Sequence, residues 1–112
     1  MALVYAHRGG ATLLPENSIA AFDHGVALGA DGLEFDVHLS SDGVVVVHHD
    51  DTLERTTPGR GRVANHTASD LAALGVPLFT EVLDRYRGAS LIVELKVDSI
   101  HLVRQVIYDL SI

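Results

Sequence analysis

Cysteine and tryptophan are absent from these 112 residues, methionine occurs once and proline three times. Without cysteine there is no disulfide framework and no thiolate nucleophile. Positive charge is also scarce, with 8 Lys and Arg against 15 Asp and Glu and a net charge of -7. That balance argues against nucleic acid and anionic membrane surfaces as partners, since both reward clustered lysine and arginine. No apolar run approaches the roughly 18 residues of a membrane-spanning helix, so no transmembrane segment is expected. Met1 leads straight into an apolar strand pattern with no charged leader region, which makes a cytoplasmic location the default expectation. Repeats, linkers and low-complexity stretches are missing too.

What the chain does have is apolar content, 47% of residues with a mean hydropathy of +0.24, enough for one packed domain and too rich for disorder. It also has polar residues set where apolar runs end. His7-Arg8-Gly9 closes Leu3-Val4-Tyr5-Ala6, Glu34-Phe35-Asp36 lies inside Gly32 to Val37, His48-His49-Asp50 closes Val44 to Val47, and Glu94-Leu95-Lys96 closes Leu91-Ile92-Val93. Side chains two apart on a strand share a face, so Glu34 with Asp36, and Glu94 with Lys96, converge. Carboxylates, imidazoles, a guanidinium and an ammonium at strand ends are the groups a metal-assisted attack on a phosphate ester requires.

The order of elements reads as α/β. A strand at about residues 3–7 precedes a loop carrying Gly9, Gly10 and Pro15. Ile19, Phe22 and Val26 then mark a helix capped by Asn17 or Ser18 and stopped at Gly29. A second strand begins near Gly32, Ser40 to Gly43 form a turn, and Val44 to Val47 return antiparallel. Residues 58–66 read as a loop. A short helix near 68–74 is capped by Thr67, and Phe79, Val82, Leu83 and Tyr86 mark another that ends at Gly88. A third barrel-type strand spans about 90–96. Ile100, Val103, Ile107 and Leu110 mark a last helix with Asp98 or Ser99 as cap. Such alternation implies parallel strands joined by crossover helices.

If the turn at 40–43 is a four-residue loop, Leu39 faces Val44, Asp36 faces Val47 and Glu34 faces His49. Opposed residues share a face, so this register selects His49 over His48 as the imidazole beside the carboxylates; a slip of one residue reverses the choice. Glu34, Asp36 and Glu94 are hard oxygen donors suited to Mg²⁺ or Ca²⁺ rather than zinc. The alternative pairs them with Arg8 and Lys96 in a structural ion network. His7 and His49 can exchange protons near neutral pH, or serve only as hydrogen-bonding residues. Arg8 and Lys96 suit a phosphate, or are structural. Glu16 either supports a metal site or favours the helix N-terminus. Asn17 reads as a cap, and His24, His38, His66 and His101 read as surface or packing residues.

Taken as an ordered set, His7-Arg8-Gly9, Pro15-Glu16-Asn17-Ser18, Gly32 to Val37, Ser41-Asp42-Gly43, His49-Asp50, Leu53 to Thr57 and Glu94-Leu95-Lys96 resemble the glycerophosphodiester phosphodiesterase family over residues 4–96. The resemblance implies a TIM barrel that hydrolyses glycerophosphodiesters to an alcohol and glycerol 3-phosphate, in lipid and glycerol metabolism. It implies a divalent metal on Glu34, Asp36 and Glu94, with His7 and His49 as acid and base. In families of this fold the attacking group can be the substrate's own neighbouring hydroxyl, giving a cyclic phosphate that water later opens. A complete barrel takes about 250 residues, and three barrel strands are recognisable here. The expectation is therefore the N-terminal portion of a (β/α)8 barrel with a β-hairpin after strand two, the barrel incomplete. A piece of a longer protein explains this more simply than self-completion by a second copy, although open sheet edges would favour self-association. Related chains carry a longer segment between Leu74 and Val76. The surface that shapes substrate entry is correspondingly small. Competing readings are a lysophospholipase D-like or sphingomyelinase D-like enzyme, and a non-catalytic partial barrel.

Overall fold

The computed structural model describes residues 4–8, 15–96 and 99–111, so the Gly9-Gly10 loop, Leu3 and the Asp98 cap lie outside the described residues. Strand β1 (Tyr5–His7) leads to helix α1 (Ile19–Ala27), then β2 (Gly32–Leu39) and β3 (Val45–Val47). Helices α2 (Ala68–Ala73) and α3 (Phe79–Arg85) follow, then β4 (Ser90–Leu95) and α4 (Ile100–Leu110). The stretch read as a loop at 58–66 contains a 3-10 turn at Val63–Asn65.

Strand β2 is the hub, because every other strand pairs with it. β1 runs parallel to its first residues and β4 parallel along Gly32 to Val37, while β3 returns antiparallel along its last residues. The three parallel members are the barrel strands the sequence indicates. Alternation on β2 divides its side chains cleanly. Leu33, Phe35 and Val37 are buried against the helices, and Glu34, Asp36 and His38 occupy the other face. Phe22, Phe35, Phe79 and Tyr86 meet edge-on or tilted at 5.6–6.0 Å between ring centres, the aromatic centre of the main core. Val46, Leu53, Val63, Leu71 and Val76 form a second apolar cluster beneath the hairpin and the loop after it.

Gly32 admits no side chain. A Cβ there would strike the Ser90 carbonyl and lie 2.6 Å from the Tyr5 ring, because β1 and β4 close on β2 at this point. Gly29 and Gly88 take positive φ (+89° and +86°) at the ends of α1 and α3, as the helix-stop reading requires.

Three local expectations change. Ser18, not Asn17, caps α1, its hydroxyl accepting from the Ala21 N–H at 3.1 Å. The hairpin register is Val37 with Val47, His38 with Val46 and Leu39 with Val45, one residue away from the expected pairing. The Ser40 N–H donates to the Val44 carbonyl and the Ser40 hydroxyl accepts from the Val44 N–H, so the loop proper is residues 41–43. Helix α4 buries Leu102, Val106 and Asp109 and exposes Ile100, Val103, Ile107 and Leu110, the residues that mark it in the sequence. Thr67 and Ser99 cap α2 and α4 as expected. Among the described residues no helix is long and apolar enough to cross a membrane.

Candidate active site

Two rungs of the parallel sheet assemble the carboxylates. His7 is the register partner of Glu34, and Asp36 that of Glu94. Register partners in a sheet present side chains to the same face, and Glu34 and Asp36 share theirs by spacing, so the strand ends deliver three acids and an imidazole together. One carboxylate oxygen from each of Glu34, Asp36 and Glu94 lies within 4.8 Å of the others. His7 Nε2 is 3.5 Å from Glu34 Oε1 and its side chain is largely exposed.

Exposure differs sharply across the cluster. Asp36 is almost fully buried, whereas Glu94 is exposed. Burial raises the Asp36 pKa, and Glu94 and the Glu34 charge raise it further, against the Asn17 amide and His49. The Glu94 pKa is lowered, first through its hydrogen bond with Asp36 and then by Lys96, whose Nζ is 3.4 Å from Glu94 Oε1. The three acids therefore stand close enough to oppose one another's ionisation, most strongly at the buried Asp36.

Arg8 and Asn17 border the cluster from the loop after β1. Both are non-glycine residues with positive φ, +49° and +54°, and the Asn17 N–H donates to the Arg8 carbonyl at 2.8 Å. Asn17 is buried and donates through Nδ2 to Asp36 Oδ2 at 3.2 Å. It orients a carboxylate instead of capping a helix. The Arg8 N–H donates to Glu34 Oε1 at 3.1 Å, its Nη1 reaches Glu16 at 3.4 Å, and its Nε is 3.8 Å from Asp36 Oδ2. Among the described residues, buried Arg8 Nε and Asn17 Oδ1 have no hydrogen-bond partner, and unmet buried polar groups are rare enough to need a reason.

The two adjacent histidines separate by their hydrogen bonds. A carbonyl can only accept, so the Nε2 of buried His48 carries the proton it shares with the Thr52 carbonyl at 3.0 Å. His49 instead meets Asp50 Oδ1 through Nδ1 at 2.7 Å, which places a proton on Nδ1, and among the described residues its Nε2 makes no hydrogen bond. Through Asp50 and the Arg55 guanidinium this ring is linked to Glu16, which Arg8 also contacts. The expected register, which set Glu34 opposite His49, is overturned; β3 ends at Val47 and the chain bends after His48. His38, read as a surface or packing residue, is buried and donates from Nε2 to the His49 carbonyl at 3.0 Å. Burial lowers its pKa, against the His49 carbonyl bond.

Sequence reasoning left Asp50 and Arg55 without roles. Arg55 donates to both oxygens of Asp50 and both oxygens of Glu16 at 2.8–2.9 Å. These bonds hold Asp50 and Glu16 below the usual carboxylate range. The available signal was an aspartate directly after the candidate base and an arginine five residues on, inside a turn-forming stretch.

Comparison with known proteins places the chain in a family. The profile of the "Glycerophosphoryl diester phosphodiesterase family" matches residues 7–107. A glycerophosphodiester phosphodiesterase of Caldanaerobacter subterraneus subsp. tengcongensis is 51% identical over 72 residues, covering 64% of this chain and 30% of that protein. The crystal structure of the glycerophosphodiester phosphodiesterase from Agrobacterium tumefaciens superposes with a TM-score of 0.86 at 35% identity, over 97% of this chain and 54% of that one. An Oleispira antarctica phosphodiesterase, solved in complex with the product sn-glycerol-3-phosphate, gives 0.86 at 29% identity over 99% of this chain and 52% of that one. The chain spans roughly a third to a half of the length of these proteins. Its open mixed sheet is part of the TIM barrel they share, and the chain belongs to the glycerophosphoryl diester phosphodiesterase family.

Proposed function

We propose that this chain carries the catalytic rim of a metal-dependent glycerophosphodiester phosphodiesterase. One observation carries the reading: three carboxylates within 4.8 Å of one another at strand ends, flanked by His7 and Arg8. The donor set fits a divalent cation, since all three ligands are hard oxygens and one is buried among like charges. Glu34, Asp36 and Glu94 would hold the ion, Mg²⁺ or Ca²⁺. When bound, it supplies Lewis-acid polarisation of a phosphoryl oxygen.

The remaining work belongs to side chains. Arg8, whose buried Nε lacks a partner among the described residues, binds the phosphate, and Lys96 adds a compact positive charge. His49, with Nδ1–H tied to Asp50, accepts the proton of the attacking hydroxyl at Nε2. A new P–O bond forms as the P–O bond to the alcohol breaks, and protonated His7 delivers its proton to the departing alkoxide; where the attacking hydroxyl is the substrate's own, water then opens the cyclic phosphate by adding to phosphorus as the ring P–O bond breaks. Overall, water and a glycerophosphodiester yield an alcohol and glycerol 3-phosphate, the product the Oleispira protein holds.

Incubating the chain with glycerophosphocholine tests this reading. Glycerol 3-phosphate should appear with Mg²⁺ or Ca²⁺ and not with chelator. No metal-dependent release, with cation binding intact, would favour a non-catalytic partial barrel. Cleavage of lysophosphatidylcholine instead would favour the lysophospholipase D-like reading.

A further inference from the structure

From the hydrogen bonds around Arg55 we infer that this residue is a positioning residue, one guanidinium that fixes the orientation of the His49 imidazole and couples it to the Arg8 side of the site. The inference rests on the proposed role of His49 and goes beyond it by assigning what sets that ring.

Each edge of the guanidinium is occupied. Nε donates to Asp50 Oδ2 at 2.8 Å and Nη2 to Asp50 Oδ1 at 2.9 Å, which fixes the plane of that carboxylate. Nη1 and Nη2 donate to Glu16 Oε1 and Oε2, both at 2.8 Å. A carboxylate held at one oxygen can still rotate about its terminal torsion, which is broad. Held at both, it has one orientation, and in that orientation Asp50 Oδ1 accepts from His49 Nδ1 at 2.7 Å. The path continues on the other side, because Glu16 Oε1 also accepts from Arg8 Nη1 at 3.4 Å. Loop residues 15–17 after β1 and residues 48–57 after β3 are thereby tied across the site by one side chain.

The alternative is that these are ordinary surface ion pairs. The Arg55 side chain is about half exposed, and exposed pairs add little to stability. Two bidentate forks on one guanidinium are more than that role requires, and only arginine supplies them, since lysine is a point charge without a fork. The consequence is directional: Arg55 determines which nitrogen of His49 carries the proton.

Long-range ¹H–¹⁵N spectra of the full 112-residue chain read that property without turnover. At about pH 8.5, well above the ordinary imidazole value, His49 should show the Nδ1–H tautomer alone. Arg55→Met should lose that single-tautomer signature, with Nε2–H becoming populated, while His48, bonded to a backbone carbonyl, keeps its own. Arg55→Lys should give an intermediate mixture. An unchanged His49 tautomer in Arg55→Met, with the His48 signals native, overturns the inference. If Arg55→Met fails to fold, Arg55→Lys decides by the same signal, and an unchanged tautomer there overturns it equally. A tautomer shift in a chain without phosphodiesterase turnover supports the clamp and counts against the proposed function. Turnover with an unmoved tautomer does the reverse.

Discussion

The backbone N–H of His48 donates to the carbonyl of Asp36 at 2.9 Å, so these two residues share a rung of the hairpin although their side chains part. The Asp36 carboxylate joins the acid cluster, and the His48 ring turns to Thr52. For a family enzyme with this rim, His49→Ala should lower kcat roughly 10²–10⁴-fold, the usual worth of general acid–base assistance. His48→Ala should leave kcat near wild type and cost about 1 kcal/mol of stability, the net value of one hydrogen bond. Steady-state kinetics and urea melts of both variants check this. A kinetic collapse confined to His48 would contradict it.

Removal of one ligand should abolish the response to cation. A ligand at a hundred times its Kd stabilises a fold by about 2.7 kcal/mol. Mg²⁺ or Ca²⁺ at that excess should raise the Tm of the wild-type chain and leave that of Asp36→Asn unmoved. In chelator the same variant should melt higher than wild type, because a neutral amide replaces an acid whose ionisation is opposed by burial and by Glu94 and Glu34. Differential scanning calorimetry separates the two effects, and a wild-type Tm indifferent to both cations would remove the metal site.

Asp23 is held by Arg85 at 2.7 and 2.9 Å and by the Tyr86 hydroxyl at 2.7 Å, and its pKa falls from the ordinary 3.8 to about 2, chiefly through Arg85. A depressed carboxylate pKa stabilises the fold above its unfolded value and loses that contribution as pH falls through the folded one. The window is pH 4 down to 2. Tyr86 runs the other way: burial, then Asp23, raises its pKa, so its share is complete below the ordinary value of about 10 and fades above it. Asp23→Asn should flatten the acid limb of a stability–pH curve over that window and weaken the alkaline limb. An unchanged acid slope would show the ion pair to be idle.

Self-association should follow from what the sheet and α4 leave uncovered. Among the described residues β4 pairs only with β2, Ile92 is half exposed, and Ile100, Val103, Ile107 and Leu110 line an exposed helix face. Strand edges and contiguous apolar patches invite association. Light scattering should show species larger than a monomer at micromolar chain concentration, and Ile92→Lys combined with Ile107→Lys should shift them toward monomer. A monodisperse wild-type monomer with protected β4 amides would contradict this.

The carboxylate cluster of the candidate site was legible because chemistry and period coincide. Glu34 and Asp36 sit at two-residue spacing and so share a face, and Glu94 joins them as the register partner of Asp36. Caps at Thr67 and Ser99 were legible as local side-chain bonds. Register was not, because Ser40 can open the turn either before or after pairing, and its two hydrogen bonds with Val44 settle this only in three dimensions. Asn17 looked like a cap because that is where asparagine usually works at a helix start. Its amide is drawn instead to a buried acid on a strand far along the chain. The face of α4 was misleading for a similar reason. Period fixes which residues align, but the sheet and α3 decide which aligned set is covered, and they cover Leu102 and Val106.

Gly32 bears no functional atom, yet the spacing of the rim is set there. Its missing side chain lets β1 and β4 close on β2 two residues before Glu34. A single methyl at this position would act as a wedge at the foot of the sheet, spreading strands whose tips hold His7, Glu34 and Glu94 while leaving each of those residues chemically intact. Gly32→Ala therefore separates having the right groups from having them at the right distance.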